Sequence, residues 1–175
     1  MNAAPRFVPA ARLLHWLMAV LILLMLFVGI GMVSTVSDLH SRLLGLHKPL
    51  GIAILLLALL RLAVRLRHRP PPLPMDLPAW QRLAAHASHL LLYALMLALP
   101  LVGWAMLGAG GYPVALGHGI VLPPLVPQHR ALFALLRQAH TVLALLLFGL
   151  VLLHLAAALH HAWVRRDTVF GSIRP

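Results

Sequence analysis

The stretch RQAHTVLALLLFGLVLLHLAAALHHAWVR, Arg137 to Arg165, constrains this chain more than any other. Between its bounding arginines there is no Asp, Glu, Lys or Arg. About 20 apolar residues suffice to cross the hydrocarbon of a bilayer, so the segment, which is longer than that, reads as a membrane-spanning helix. His140 and His154 interrupt it. The interval between them is two heptads, so both imidazoles project from nearly the same face. At about 1.5 Å per residue they stand roughly 21 Å apart along the axis. One helix thus carries a metal-seeking side chain near each membrane surface. Ionisable groups are costly inside a span and point to function.

The composition agrees. Of 175 residues, 62% are hydrophobic and only 10% charged, against about 25% charged in soluble domains. The chain reads as an all-α integral membrane protein, a four-helix bundle in a single domain over residues 1–175. The absence of cysteine excludes disulfides, iron–sulfur clusters and thioether-linked haem. The acids are Asp38, Asp76 and Asp167, all outside the apolar stretches. Carboxylate metal sites and intramembrane proton-relay acids therefore lack material. The net charge of +11 comes from residues flanking apolar spans, where they set topology and meet lipid headgroups. Membrane lipid is an expected partner and nucleic acid is not.

Four spans are expected, at about 13–33, 45–66, 83–107 and 137–163, with an outer loop at 108–135. The first is too long for a signal-peptide core and lacks a clear cleavage site, so it reads as a retained helix. Pro49 suits the first turn of the second helix, and Arg61 and Arg65 can snorkel at its far end. Arg67 to Pro78, RHRPPPLPMDLP, is a proline-rich connector. Pro100 predicts a kink in the third helix. The apolar, Gly- and Pro-rich loop that follows suits a lid over the bundle. The amino-terminal segment, the connector with its helix ends and the tail hold ten Lys or Arg; the opposite side holds Arg42, Lys48, Arg130 and Arg137. The positive-inside rule therefore places both termini in the cytoplasm.

This topology predicts which histidines meet. His15 and His154 lie toward the inner surface, His47 and His140 toward the outer one, giving the pairs His15–His154 and His47–His140. Facing neutral imidazoles suit b-type haem, whose iron takes an axial nitrogen on each side, and bundle cores hold such cofactors. Zinc fits less well, because it takes four protein ligands. Two haem b groups are expected, the four histidines being the iron ligands. Gly45, Gly51 and Gly149 would admit the macrocycles, although helix packing explains each as well. His86 and His89 share a face of the third helix near the inner level; either could replace His15, or contact a haem propionate or a quinone. His161 continues the His154 stripe beside His160, where a solvated helix end competes with a quinone or proton-handling role. His40 and His68 read as turn residues. His118 and His129 sit in the loop above the outer pair.

Several motifs then resemble the bacterial cytochrome b561 family. They are RLLHWLMAVLILLMLFVGI at Arg12–Ile30, HKPLGI at His47–Ile52 and LLRLAVRL at Leu59–Leu66. AHASHLLLYALMLALPLVGW at Ala85–Trp104 and QAHTVLALLLFGLVLLHLAAALHH at Gln138–His161 complete the set. The resemblance implies a four-helix dihaem cytochrome of the bacterial inner membrane, with ligands at His15, His47, His140 and His154 and with His86 and His89 matching a pair on the third helix. It implies electron transfer between a membrane quinone and a second redox partner. One activity it brings is superoxide oxidation with ubiquinone as acceptor, for which Lys48, Arg130 and Arg137 are candidates to steer the anion. The alternative is a cytochrome b subunit passing electrons between quinone and a dehydrogenase or periplasmic protein.

Overall fold

The computed structural model describes residues 6–117 and 119–174. Four long helices, each apolar enough to cross a membrane, run antiparallel: α1 Pro9–Ser34, α2 Asp38–Arg67, α3 Ala79–Gly110 and α4 Arg130–Leu159. The start of α1 and the end of α4 therefore meet at one end of the bundle, called here the terminal end. The opposite, loop end carries the α1–α2 turn and the α3–α4 loop. At the terminal end α4 loosens into a π-helix, His160–Arg165, followed by the short α5, Thr168–Ile173.

Local chemistry sets these boundaries. Pro9 opens α1, where its missing N–H is no loss. Ser37 caps α2 by accepting from Leu39 N–H, Asp38 lies in its first turn and Arg65 and Arg67 lie in its last, each complementing the helix dipole. Helix α3 ends at Gly111, whose φ of 75° lets its N–H reach back to the Leu107 and Gly108 carbonyls. A Cβ there would also meet the Gln128 side chain at 2.8 Å. His129 caps α4 through Nδ1, which accepts from Leu132 N–H at 3.2 Å.

Three features differ from the sequence expectation. Pro49 lies in the interior of α2, because the helix absorbs the polar turn and starts at Asp38. The Gly45 carbonyl thereby loses its usual i+4 donor. Helix α4 starts at Arg130, before the apolar stretch begins, because His129 supplies a cap there. The loop contains an antiparallel hairpin, β1 Val114–Gly117 and β2 Ile120–Leu122, with an irregularity between Ala115 and Gly117.

The loop does fold back over the bundle. Val114 is buried, Trp104 Nε1 donates to the Pro123 carbonyl at 2.9 Å and Lys48 Nζ to the Pro113 carbonyl at 3.3 Å. His40 Nδ1 donates to the Met32 carbonyl at 2.9 Å, fastening the α1–α2 turn. At the terminal end, Trp16 Nε1 donates to the Ile173 carbonyl at 2.9 Å, and Phe7 N–H to the Ser172 carbonyl at 3.1 Å. Arg165 bonds Asp167 through Nε at 3.1 Å and Asp76 at 2.6 Å, joining the tail to the proline-rich connector.

The apolar core comprises Met18, Ile22, Ile54, Ala58, Leu95, Met96, Leu99 and Leu147. Outward faces remain apolar and exposed, Phe27 at 71% and Leu145 at 66% for example, as a lipid-facing surface requires. Leu147, the buried residue of α4, lies one heptad from each of His140 and His154.

Candidate functional site

The histidines flank that core on two levels. At the loop end the His47 ring of α2 faces His140 of α4, with centroids 6.1 Å apart and planes inclined at 66°. At the terminal end His15 of α1 faces His154 of α4 at 6.2 Å and 63°. The antiparallel topology makes this possible: α1 and α2 start at opposite ends, so their histidines arrive at opposite ends of α4. In both expected pairs the two rings are adjacent.

The loop-end pair has unspent capacity. His47 Nδ1 and His140 Nδ1 are buried and have no hydrogen-bond partner among the described residues. The Leu99 backbone interacts with the His140 ring but makes no bond of good geometry to Nδ1. An orphaned buried polar atom costs about 1–3 kcal/mol. Gly103 on α3 lies against the same ring: a Cβ there would stand 3.2 Å from His140 Cε1. Sequence reading missed this glycine, whose only sequence signal is its place between Pro100 and Trp104.

The terminal-end pair has two further neighbours. Arg61 donates to His15 Nδ1 at 2.8 Å, and its guanidinium lies 5.7 Å from the Tyr93 ring centroid. Instead of only snorkelling to the surface, Arg61 turns into the bundle. His89 stands 5.4 Å from His154 by ring centroids. His86 and His89 each donate Nδ1–H to the carbonyl four residues back, Arg82 and Ala85 respectively, at 2.6 Å. That bond fixes the tautomer and leaves each Nε2 as a lone pair.

The other flagged residues scatter. Arg130 and Arg137 are exposed along the first turns of α4, and Arg137 borders a shallow groove with Phe133, Gln138 and Thr141. Lys48 is engaged with the loop, so the three basic residues share an end without forming one cluster. His161 Nδ1 donates to Asp167 Oδ2 at 2.6 Å, an anchoring contact in the π-helical turn that follows α4. His68 Nδ1 bonds the Val64 carbonyl at 3.1 Å. His118 lies outside the described residues. Of the flagged glycines, Gly45 has nothing within 4 Å of its Cβ position, Gly51 meets Met25 of α1 at 3.6 Å and Gly149 is open on the exposed face of α4. Gly51 thus serves helix packing.

Four spanning helices holding two levels of facing imidazoles define a class: multi-pass membrane proteins with paired histidines inside a helical bundle. Comparison with known proteins agrees. A family model described as prokaryotic cytochrome b561 matches residues 6–175. Cytochrome b561 homolog 1 of Escherichia coli (strain K12) is 31% identical over 129 residues, covering 74% of this chain and 73% of the relative. The probable superoxide oxidase CybB of Yersinia pestis is 33% identical over 131 residues, covering 74% and 73%. Cytochrome b561 homolog 2 of Escherichia coli (strain K12) is 30% identical over 169 residues, covering 95% and 89%. The chain belongs to the prokaryotic cytochrome b561 family, multi-pass inner-membrane oxidoreductases that transfer electrons and bind haem b.

The residues fit that cofactor. A metal ion held by one nitrogen from each of two rings, with metal–nitrogen distances of about 2 Å, would need ring centroids roughly 6 Å apart. The pairs at 6.1 Å and 6.2 Å meet this, whereas the 5.4 Å between His89 and His154 is short for it. Among the described residues no three or more His, Cys, Asp or Glu are arranged to hold a metal ion. A metal held by one of these pairs would need further ligands from a cofactor, which haem b would supply.

Proposed function

We propose that the protein is a dihaem b cytochrome that oxidises superoxide at the outer face and reduces ubiquinone. The observation that carries it is the pair of imidazole pairs at metal-bridging separation, His47–His140 and His15–His154, one at each end of the bundle. The four histidines are the proposed iron ligands. Bound haem supplies one-electron relays on the two levels, separated by roughly 21 Å of helix rise. Each superoxide gives up one electron and leaves as dioxygen. Two such events, with two protons, convert ubiquinone to ubiquinol.

The chain's own residues have distinct parts. The ten basic residues at the terminal end favour a cytoplasmic position for it, and on this reading the loop end is the outer face. Lys48, Arg130 and Arg137 give that face a positive field able to raise the encounter rate of an anion. The hairpin loop, held to Lys48 and Trp104 at the same end as the outer pair, is the proposed barrier to water there. The apolar core around Leu147 excludes water between the levels. His86 and His89, with free Nε2 lone pairs near the inner level, are placed to accept a hydrogen bond from a quinol or from a protonated propionate. The name of the Yersinia pestis relative, a probable superoxide oxidase, supports the choice of donor.

Detergent-purified protein should show a b-type α-band in a reduced-minus-oxidised spectrum, with two haems per chain. It should also reduce ubiquinone with superoxide faster than the spontaneous reaction. Absence of haem after expression with ample haem supply would sink the reading. A requirement for an added dehydrogenase or periplasmic redox protein would replace the enzyme with the electron-transfer subunit.

A further inference from the structure

Arg61 is a cation without an anion. It lies half-buried on α2, well inside the apolar helix. Its partners are a neutral imidazole and Tyr93, through both the ring and the phenol group. Arg65, one turn on, adds a second positive charge on the same side of the helix. The chain has three acidic side chains, and all lie elsewhere: Asp76 is held by Arg165, Asp167 by Arg165 and His161, and Asp38 opens α2 at the far end. A guanidinium held in such surroundings calls for an oxyanion, and no side chain among the described residues supplies it.

The hydrogen bond that Arg61 does make cannot persist when His15 serves as a ligand through Nε2. A guanidinium only donates, so His15 Nδ1 accepts in this arrangement, and the imidazole proton sits on Nε2. A neutral imidazole that gives its Nε2 lone pair to iron carries its proton on Nδ1 and has nothing there to accept. The Arg61 donor that met His15 Nδ1 is then released for another acceptor within reach of the His15 ring.

We infer that Arg61 binds a propionate of the haem held between His15 and His154, exchanging its bond to His15 Nδ1 for a charge-assisted pair with the carboxylate. The planar fork of a guanidinium matches a carboxylate bidentately. A lipid phosphate has similar chemistry, but Arg61 touches the interior imidazole, while Arg67 at the helix end is exposed. This inference rests on the dihaem reading above.

The test uses the full chain, synthesised cell-free into lipid nanodiscs in the presence of haem or of haem dimethyl ester, whose propionates carry no charge. The wild type should load the terminal-end site with haem in preference to the ester by on the order of tenfold. Arg61→Gln should load the two equally there, and the loop-end site serves as internal control. Potentiometric titration of the haem-loaded proteins gives a second readout. Leaving a propionate charge uncompensated favours ferric iron, so Arg61→Gln should lower the midpoint potential of one haem only. Arg61→Lys, which keeps the charge, should restore most of it. A wild type indifferent to esterification, or an Arg61→Gln variant with unchanged potential and ester preference, overturns the inference while two haems per chain leave the dihaem reading intact. A wild type with no terminal-end haem overturns both.

Discussion

Gly103 on α3 lies so close to His140 on α4 that a Cβ would stand 3.2 Å from the ring's Cε1 and 3.4 Å from Nδ1. The glycine therefore sets how the imidazole is seated. Gly103→Ala asks the ring to give by a few tenths of an ångström and should leave most of the loop-end haem in place. Gly103→Leu asks for a displacement that the ring cannot make without leaving its position opposite His47. Haem per chain should fall by about half, measured by pyridine haemochrome, with the terminal-end spectrum retained.

The two levels should be separable. His140→Ala should remove the loop-end haem and His154→Ala the terminal-end one, each leaving about half the haem. His15→Ala should match His154→Ala. His89→Ala should keep both haems, because the 5.4 Å between His89 and His154 is short for a bridged metal. Loss of haem in His89→Ala together with retention in His15→Ala would make His89 the ligand.

The tail network gives a pH-dependent stability. Burial pushes the Asp167 carboxyl up, but bonds from His161, the Val169 N–H and Arg165 outweigh it and hold the group below its ordinary value. A carboxylate with a lowered folded-state pKa stabilises fully above its unfolded value of about 3.9, and the contribution disappears as pH falls through the folded value. Asp167→Asn keeps a side-chain oxygen to cap α5 and removes the charge. It should cost on the order of 1 kcal/mol at neutral pH. Thermal unfolding of the two proteins in detergent should converge in strong acid.

Steering by charge carries a salt signature. Replacing Lys48, Arg130 and Arg137 together with Gln should slow superoxide-driven quinone reduction at low ionic strength, by roughly tenfold or more. The variant's rate should also respond less to added salt. Lys48→Gln alone frees the loop at Pro113, so a rate that rises on this single change would mark the loop as a barrier to the donor. Stopped-flow rates across a salt series separate the two effects.

How far the sequence can be read depends on what each feature consists of. The spans were legible because hydropathy is a sum over a segment, and the meeting of His47 with His140 followed from helix direction and height alone. Helix ends were less legible. The start of α4 depends on His129 folding its ring onto Leu132 N–H, and α2 carries Pro49 in its interior where a first-turn position was expected. Gly103 and Arg61 were missed as neighbours of the histidines, because each acts across a helix interface. Hydropathy treats Arg61 as a snorkelling residue, and only its bond to His15 shows that it turns inward. The hairpin in the loop depends on Gly117 and Gly119 at positive φ, which the same glycines in an open loop would equally permit.

Leu147 lies midway between His140 and His154 on one stripe of α4, buried among apolar side chains from all four helices. Apolar side chains line that gap, with Tyr93 at its edge. In the dihaem cytochrome proposed above, an electron passing from the outer level to the inner one would cross it without a compensating ion and displace charge through most of the membrane's thickness. That passage would be electrogenic. A full crossing corresponds to about 2.3 kcal/mol per 100 mV, so a resting potential negative inside would oppose each such inward transfer. Turnover in sealed vesicles should then quicken when an ionophore collapses that potential, linking the donor chemistry outside to the energetic state of the cell.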